Sequence, residues 1–113
     1  MPEIGSDGWI DAFAAAVAEV DGGDISISVR HRLSDGPAWL VVIDEGRVSV
    51  RRAAGDEPAD VTFLWQRADA EAVASGDISP LSAFQAGRLR VGGDLNRLAE
   101  AADLFARFPA VRS

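Results

Sequence analysis

The sequence predicts an α+β fold in which helices cover a five-stranded, mostly antiparallel sheet. Five short segments have the apolar pattern and the β-branched or aromatic composition of strands, and turns or hairpins join most of them. Helical patterns lie before and after this group, which favours α+β over an alternating α/β arrangement. The 113 residues show no internal repeat, so we expect a single domain over residues 1–113.

The first helix is expected to begin at Ser6 or Asp7, since either side chain can cap its first turn. Apolar residues then recur at helical spacing along one face: Trp9, Ile10, Phe13, Val17 and Val20. The run Asp-Gly-Gly-Asp at residues 21–24 ends the helix. This pattern is typical of a helix that packs one side on a sheet.

Three strands are expected next. Residues 25–32 alternate apolar and polar side chains, as a half-solvated strand does. Residues 38–43 are almost continuously apolar, which indicates a strand inside the sheet with both faces buried. A tight hairpin at residues 44–46 leads to a strand in which Val48 and Val50 face inward. Its arginines, Arg51 and Arg52, argue mildly against pairing with another strand.

Two short helices are expected to follow a fourth strand at residues 59–65. Asp69 is expected to cap the first of them, over residues 70–75, and Gly76 to end it. Ser79 followed by Pro80 is a strong start signal for the second, because proline at the first helical position loses no hydrogen bond. Gly87 is placed to end that helix.

The chain is expected to close with a strand, a turn and a long helix. Residues 88–91 alternate as a half-buried strand, the Gly-Gly pair at 92–93 makes the turn, and Asp94 caps the helix. Pro109 is placed to end this helix. Its apolar stripe comprises Leu95, Leu98, Ala102 and Phe105, widened by Leu104 and Phe108.

Composition excludes several functional classes. A net charge of −7 disfavours nucleic acid as a partner and electrostatic docking on anionic membranes. No apolar run is long enough to span a bilayer and the N-terminus has no signal-peptide pattern, so we expect no stable membrane insertion and a cytoplasmic location. All 11 basic residues are arginine, which we interpret as the codon bias of a GC-rich bacterial genome.

Candidates for catalysis are few. The chain has no cysteine and one histidine, so neither thiolate chemistry nor a metal site is expected, and we expect no cofactor. The adjacent carboxylates of residues 44–45 and 56–57 lie in predicted turns, where solvation is their ordinary role. An enzyme that uses Asp44, Asp60 or His31 as a base is the least favoured hypothesis.

The second half of the chain resembles the sterol carrier protein 2 family of small lipid-binding domains, closely over roughly residues 36–108. The ordered set of residues carries the resemblance, since no single tripeptide in it is specific. The family usually has lysines where Arg88 and Arg90 stand, which preserves the charge. The set comprises residues 59–63, Ser75, Gly76, Pro80, Ala83, Phe84, residues 87–91 and residues 93–95.

The resemblance implies non-enzymatic binding or transfer of a fatty acid, acyl-CoA or sterol-like ligand in a hydrophobic tunnel between sheet and helices. Phe63 and Trp65 are bulkier than the aliphatic residues common at these positions, which favours a slim acyl chain or a filled tunnel. By position, the residues expected to contact the ligand are Val61, Phe63, Trp65, Phe84, Leu89, Val91, Leu98, Leu104 and Phe105.

Periodicity leaves two interpretations of this apolar interior open. The alanine-rich faces of the first and last helices permit either close packing or volume for a ligand. With volume, the chain binds a small apolar lipid, which the resemblance implies that it carries or presents to a partner enzyme. With close packing, it is a protein-interaction or dimerisation module whose cavity is filled by its own side chains.

Overall fold

The computed structural model describes residues 3–54 and 56–106, without the side chains of residues 81, 102, 105 and 106. Five strands form one sheet in the order β3-β2-β1-β4-β5, which confirms the predicted α+β class. In the described residues no helix is long and apolar enough to cross a membrane. The elements are α1 (Asp7–Val17), β1 (Ile27–Leu33), β2 (Ala38–Asp44), β3 (Arg47–Arg52), β4 (Val61–Trp65), α2 (Arg67–Ala74), α3 (Pro80–Gln85), β5 (Leu89–Gly93) and α4 (Leu95–Ala106).

One strand pair is parallel. β1 pairs in parallel with β4, whereas β1–β2, β2–β3 and β4–β5 are antiparallel, so the sheet is mostly antiparallel as predicted. Asp60, just before β4, sets this contact: the Ser28 backbone N–H donates to Asp60 Oδ2 at 2.9 Å. In return, the Asp60 N–H donates to Ser28 Oγ at 2.9 Å. This reciprocal pair fixes the register in which Val29 lies opposite Val61.

The connection from β3 to β4 crosses the outer face of the sheet. Leu40 lies in register between Arg30 and Arg51 on that face. Arg30 Nη1 donates to the Glu57 carbonyl at 2.8 Å, and Arg51 forms an ion pair with the Glu57 carboxylate, which lowers the pKa of Glu57. Leu40 is therefore covered and only 4% exposed, which accounts for the predicted burial of β2 on both faces.

The inner face of the sheet carries the hydrophobic core. Because side chains alternate along a strand, one side of all five strands faces α1 and α4. α1 packs along β3 and α4 contacts β1. The core residues with the least exposure include Val17, Val29, Leu33, Val61, Ala101 and Leu104.

Three predicted helix caps are confirmed. Ser6 Oγ accepts from the Trp9 N–H at 3.2 Å, Ser79 Oγ from the Ser82 N–H at 3.0 Å, and Asp94 Oδ1 from the Arg97 N–H at 3.0 Å. Each satisfies one of the N–H groups that a helix start leaves without an intrahelical partner.

Three local predictions are wrong. α2 begins two residues before Asp69, after Gln66, whose side chain makes no capping bond. Asp69 instead accepts from Arg88 Nε at 2.7 Å. The glycine pair 92–93 is not a turn but the end of β5, paired with Thr62 and Val61. Leu95 is 52% exposed, because it is the first residue of α4 and lies beside edge strand β5. Phe108 and Pro109 lie outside the described residues.

A substitution at Gly93 tests whether this residue ends β5 in close contact with the backbone of Asp60. It adopts a φ of +101°, and a Cβ there would overlap the Asp60 carbonyl oxygen, so both backbone strain and a clash oppose any larger residue. Gly93→Ala should lower the free energy of unfolding by about 2 kcal/mol or more. Urea denaturation measures the change.

Gly92 is the matched control. A Cβ at Gly92 meets nothing within 4 Å and its φ is not in the left-handed region, so Gly92→Ala should change stability by about 0.5 kcal/mol or less. Equal effects of the two substitutions would contradict the assigned end of β5.

Candidate functional site

The residues predicted to contact a ligand divide into a buried group and a partly exposed group. Val61, Phe63, Trp65, Leu89 and Leu104 all belong to the core and are 7% exposed or less. Val91 and Leu98 are half-buried and pack against that core. β4 and β5 bring four of these residues together, since Phe63 lies opposite Val91 and Trp65 opposite Leu89. The side chain of Phe105 lies outside the described residues.

Phe84 does not point into the interior as expected. Its side chain is 50% exposed on α3, while its neighbour Ala83 is fully buried. α3 has only six residues and packs against β5, so one face of a short helix contacts the sheet and that face is taken by Ala83. Phe84 therefore lies on the surface beside β5.

A row of rings crosses the inner face at its centre. We call the rings of Trp39, His31 and Phe63, continued by the aliphatic Val91, the aromatic row, because these residues are successive cross-strand neighbours on β2, β1, β4 and β5. The His31 ring is stacked on Trp39 with centroids 5.4 Å apart and planes 3° apart, and Phe63 meets it edge-on at 5.0 Å. Sheet register alone creates this contact of three rings.

The protonation state of His31 follows from a hydrogen bond. Trp65 Nε1 donates to His31 Nδ1 at 3.1 Å. An indole nitrogen can only donate, so Nδ1 carries no proton and the neutral ring carries its proton on Nε2. Burial lowers the pKa of His31 to about 3, since desolvation disfavours the charged ring. His31 is therefore a neutral N–H donor near pH 7.

Trp39 carries a second N–H donor in the same row. It is only 3% exposed, and its Nε1 is buried without a hydrogen-bond partner. An unsatisfied buried donor costs about 1–3 kcal/mol, so such groups are rare in folded proteins. Sequence reasoning placed both residues on strands but missed their pairing, since only the register of β1 with β2 brings them together.

The candidate catalytic residues do not meet. His31 lies on the inner face, whereas Asp44 is at an alternate, outward position of β2 and Asp60 directly precedes β4. Asp60 is engaged with Ser28, and Asp44 lies at the hairpin opposite Arg47. Across residues 3–54 and 56–106 no group of three histidine, aspartate or glutamate residues is arranged to hold a metal ion.

A surface cleft of about 330 Å³ opens between the start of β1 and α4. Arg97 bridges it, since its Nη1 donates to the Ser26 carbonyl at 3.1 Å. Four of its five lining residues carry polar or charged side chains, so this cleft does not have the character of the expected hydrophobic tunnel. It is lined by Asp24, Ile25, Ser26, Arg97 and Glu100.

Comparison with known proteins identifies the family of this fold. The model of the SCP-2 sterol transfer family matches residues 14–106. No curated protein sequence matches the chain.

Several solved structures share the fold. A conserved hypothetical protein of Thermus thermophilus, suggested to be a sterol carrier protein, is 20% identical over 90% of this chain and 82% of its own, with a TM-score of 0.75. A sterol carrier protein 2 is 22% identical over 92% and 95%, with a TM-score of 0.70. The palmitated SCP2L2 of Aedes aegypti is 19% identical over 85% and 89%, with a TM-score of 0.63. At these identities the likeness establishes the fold.

The neutral state of His31 predicts a pH dependence of stability. Below its ordinary pKa of 6.5 the unfolded chain binds a proton at His31, whereas the folded protein does so only near pH 3. Stability is therefore lost as pH falls from 6.5 toward 3. Between pH 7 and pH 5 the free energy of unfolding should fall by about 2 kcal/mol. Urea denaturation at several pH values measures it.

His31→Phe is the control, because it keeps a ring in the row and cannot titrate. Its stability should be nearly constant between pH 7 and pH 5. Glu57 and Asp35, whose pKa values are lowered by Arg51 and Arg67, contribute only below their ordinary values of 4.5 and 3.8. Parallel losses of stability in both proteins would refute a neutral His31 in the folded protein.

Proposed function

The chain belongs to the SCP-2 sterol transfer family, and from this we propose that it binds and transfers an apolar lipid without converting it. The observation that most directly supports this proposal is that helices cover the apolar inner face of the sheet incompletely around β5. Val91 on β5 and Leu98 on α4 are half-buried, and Phe84 on α3 is exposed. These three side chains come from consecutive elements, so an apolar ligand can extend from the surface at Phe84 toward the core.

A slim acyl chain is the favoured ligand, ahead of a sterol. Phe63 and Trp65 meet edge-to-face at 6.1 Å and fill much of the inner face of β4. The palmitated SCP2L2 of Aedes aegypti supports this choice, since that protein of the same fold carries an acyl group. Burial of an acyl chain contributes about 25 cal/mol per Å² of apolar surface, so affinity requires no charged partner. Acyl-chain lipids, among them fatty acids and acyl-CoA, are the ligand class that we assign.

We assign the contact surface to the nine residues predicted from the sequence. Entry would involve Phe84, Val91 and Leu98, and the deeper contacts would involve the β4 residues Val61, Phe63 and Trp65. Leu89 and Leu104 would line the same interior, and Phe105 belongs to the set by its position in the sequence. The proposal includes a cytoplasmic location, no cofactor and no nucleic acid partner.

A second function has one observation in its favour. Five of the nine residues are buried against one another within the core, which is the packing expected of a cavity filled by its own side chains. In that case Phe84 and Leu95, the large apolar residues exposed in the described chain, would contact a partner enzyme or a second copy of this chain.

Native mass spectrometry of the protein mixed with palmitic acid tests the first function. The wild-type protein should carry one acyl mass. Val91→Trp adds a large ring at the half-buried end of the inner face, where it would occupy the ligand volume, and should reduce binding about tenfold or more.

Arg90→Trp is the matched control, because the preceding residue of β5 is exposed on the outer face. It should bind palmitic acid as the wild type does. An absence of acyl binding in all three proteins would contradict the lipid-binding proposal.

Light scattering tests the second function. If Phe84 and Leu95 form a dimer interface, the wild type should have twice the monomer mass and Phe84→Asp with Leu95→Asp should be monomeric, because charged side chains oppose burial. A wild-type monomer that binds palmitic acid would exclude dimerisation as the main role.

A further inference from the structure

Two N–H groups in the aromatic row indicate which chemical group a bound lipid has at its buried end. His31 Nε2 and Trp39 Nε1 are both N–H donors, and neither makes a hydrogen bond within the described part of the chain. The two rings are stacked with centroids 5.4 Å apart, so the side chains that carry the two donors are neighbours on the inner face. Two donors without an acceptor favour a group that only accepts.

We propose that the His31–Trp39 pair binds the polar end of the lipid, and that this end is an uncharged acceptor such as an ester or ketone carbonyl. The inference rests on the proposed function and narrows its acyl-lipid class to ligands whose polar end is uncharged, such as esters and thioesters, ahead of free fatty acids. An ester suits the pair because its oxygens accept hydrogen bonds and it carries no donor that would oppose the two N–H groups.

The surroundings disfavour a carboxylate at the same place. A buried anion needs a cation, and the nearest cationic member of this cross-strand series is Arg52, which is in register with Trp39. Arg52 is already engaged, with its Nε on Asp7 Oδ1 at 2.7 Å and its Nη2 on the Gly5 carbonyl at 2.8 Å. The lowered pKa of His31 keeps that ring neutral as well.

Access to the pair is provided by partial exposure of His31. Its side chain is half-buried although the neighbouring Trp39 and Phe63 are buried. Phe63 and then Val91 continue the row toward β5, where the apolar face is incompletely covered. An acyl chain along Phe63 and Val91 would therefore have its polar end at His31.

A set of ligands with matched chains tests the inference. Methyl laurate, lauric acid and dodecane have alkyl chains of similar length and differ in the group at one end. Each is delivered from cyclodextrin at pH 7. The wild type should bind methyl laurate about tenfold tighter than dodecane, because two net hydrogen bonds are gained. Methyl laurate should also bind more tightly than the ionised lauric acid. Native mass spectrometry gives the bound fractions.

Two variants locate the preference. His31→Phe and Trp39→Phe each keep a ring and remove one donor, so each should reduce the preference for methyl laurate over dodecane about threefold or more. Trp9→Phe is the control: Trp9 contacts Trp39 edge-on at 4.9 Å and lies outside the row, so its loss should leave the preference unchanged. Circular dichroism verifies that each variant is folded, and the two row variants test the pair independently.

The outcomes separate this inference from the proposed function. Equal affinity of the wild type for methyl laurate and dodecane would overturn the inference and leave lipid binding in place, with the donors satisfied by water. Tighter binding of lauric acid than of the ester would also overturn it. Binding of none of the three ligands would refute the proposed function itself.

Discussion

The reciprocal hydrogen bonds between Ser28 and Asp60 are the constraint on which the other contacts depend. They fix β1 against β4 in parallel, and this register places His31 beside Phe63. The Asp60 carbonyl also accepts from the Asp94 N–H at 2.9 Å, which positions the start of α4 next to the same strand end. One aspartate therefore aligns the sheet, the aromatic row and the closing helix. A one-residue slip would exchange the inner and outer faces of β4 and dismantle all three.

The two faces of the sheet are covered in different ways, and this difference directs the site to one of them. Arginine side chains and the crossing connection at Glu57 cover Leu40 on the outer face, so little apolar area remains available there. Helices cover the inner face, but α3 is short and the first turn of α4 leaves Leu95 exposed. The part of the inner face that the helices leave uncovered lies at the β5 end of the aromatic row. The apolar surface and the N–H donors of the row are therefore on the same face of the sheet.

Sequence reasoning predicted the features that depend on neighbouring residues. The fold class, the buried central strand and the caps at Ser6, Ser79 and Asp94 follow from local pattern and side-chain chemistry. The predictions from sequence were wrong where the role of a residue depends on a contact with a residue distant in the chain. Asp69 looks like a cap, yet Arg88, 19 residues away, binds it. The stacking of Trp39 on His31 depends on strand register, and Phe84 follows the periodic pattern of an inward residue although its short helix presents Ala83 to the sheet.

The parallel contact between β1 and β4 has a consequence for how the chain folds. Ser28 and Asp60 are 32 residues apart, whereas β1, β2 and β3 are joined by short hairpins. Loop-closure entropy therefore favours early formation of the three-stranded meander and late addition of β4. Until β4 arrives, the edge of β1 is open to other chains, and Arg30 and Arg32 on that strand oppose aggregation by charge. Arg30 and Arg32, which lie in the middle of the finished sheet, thus carry charge on a strand edge that only the incomplete sheet would expose.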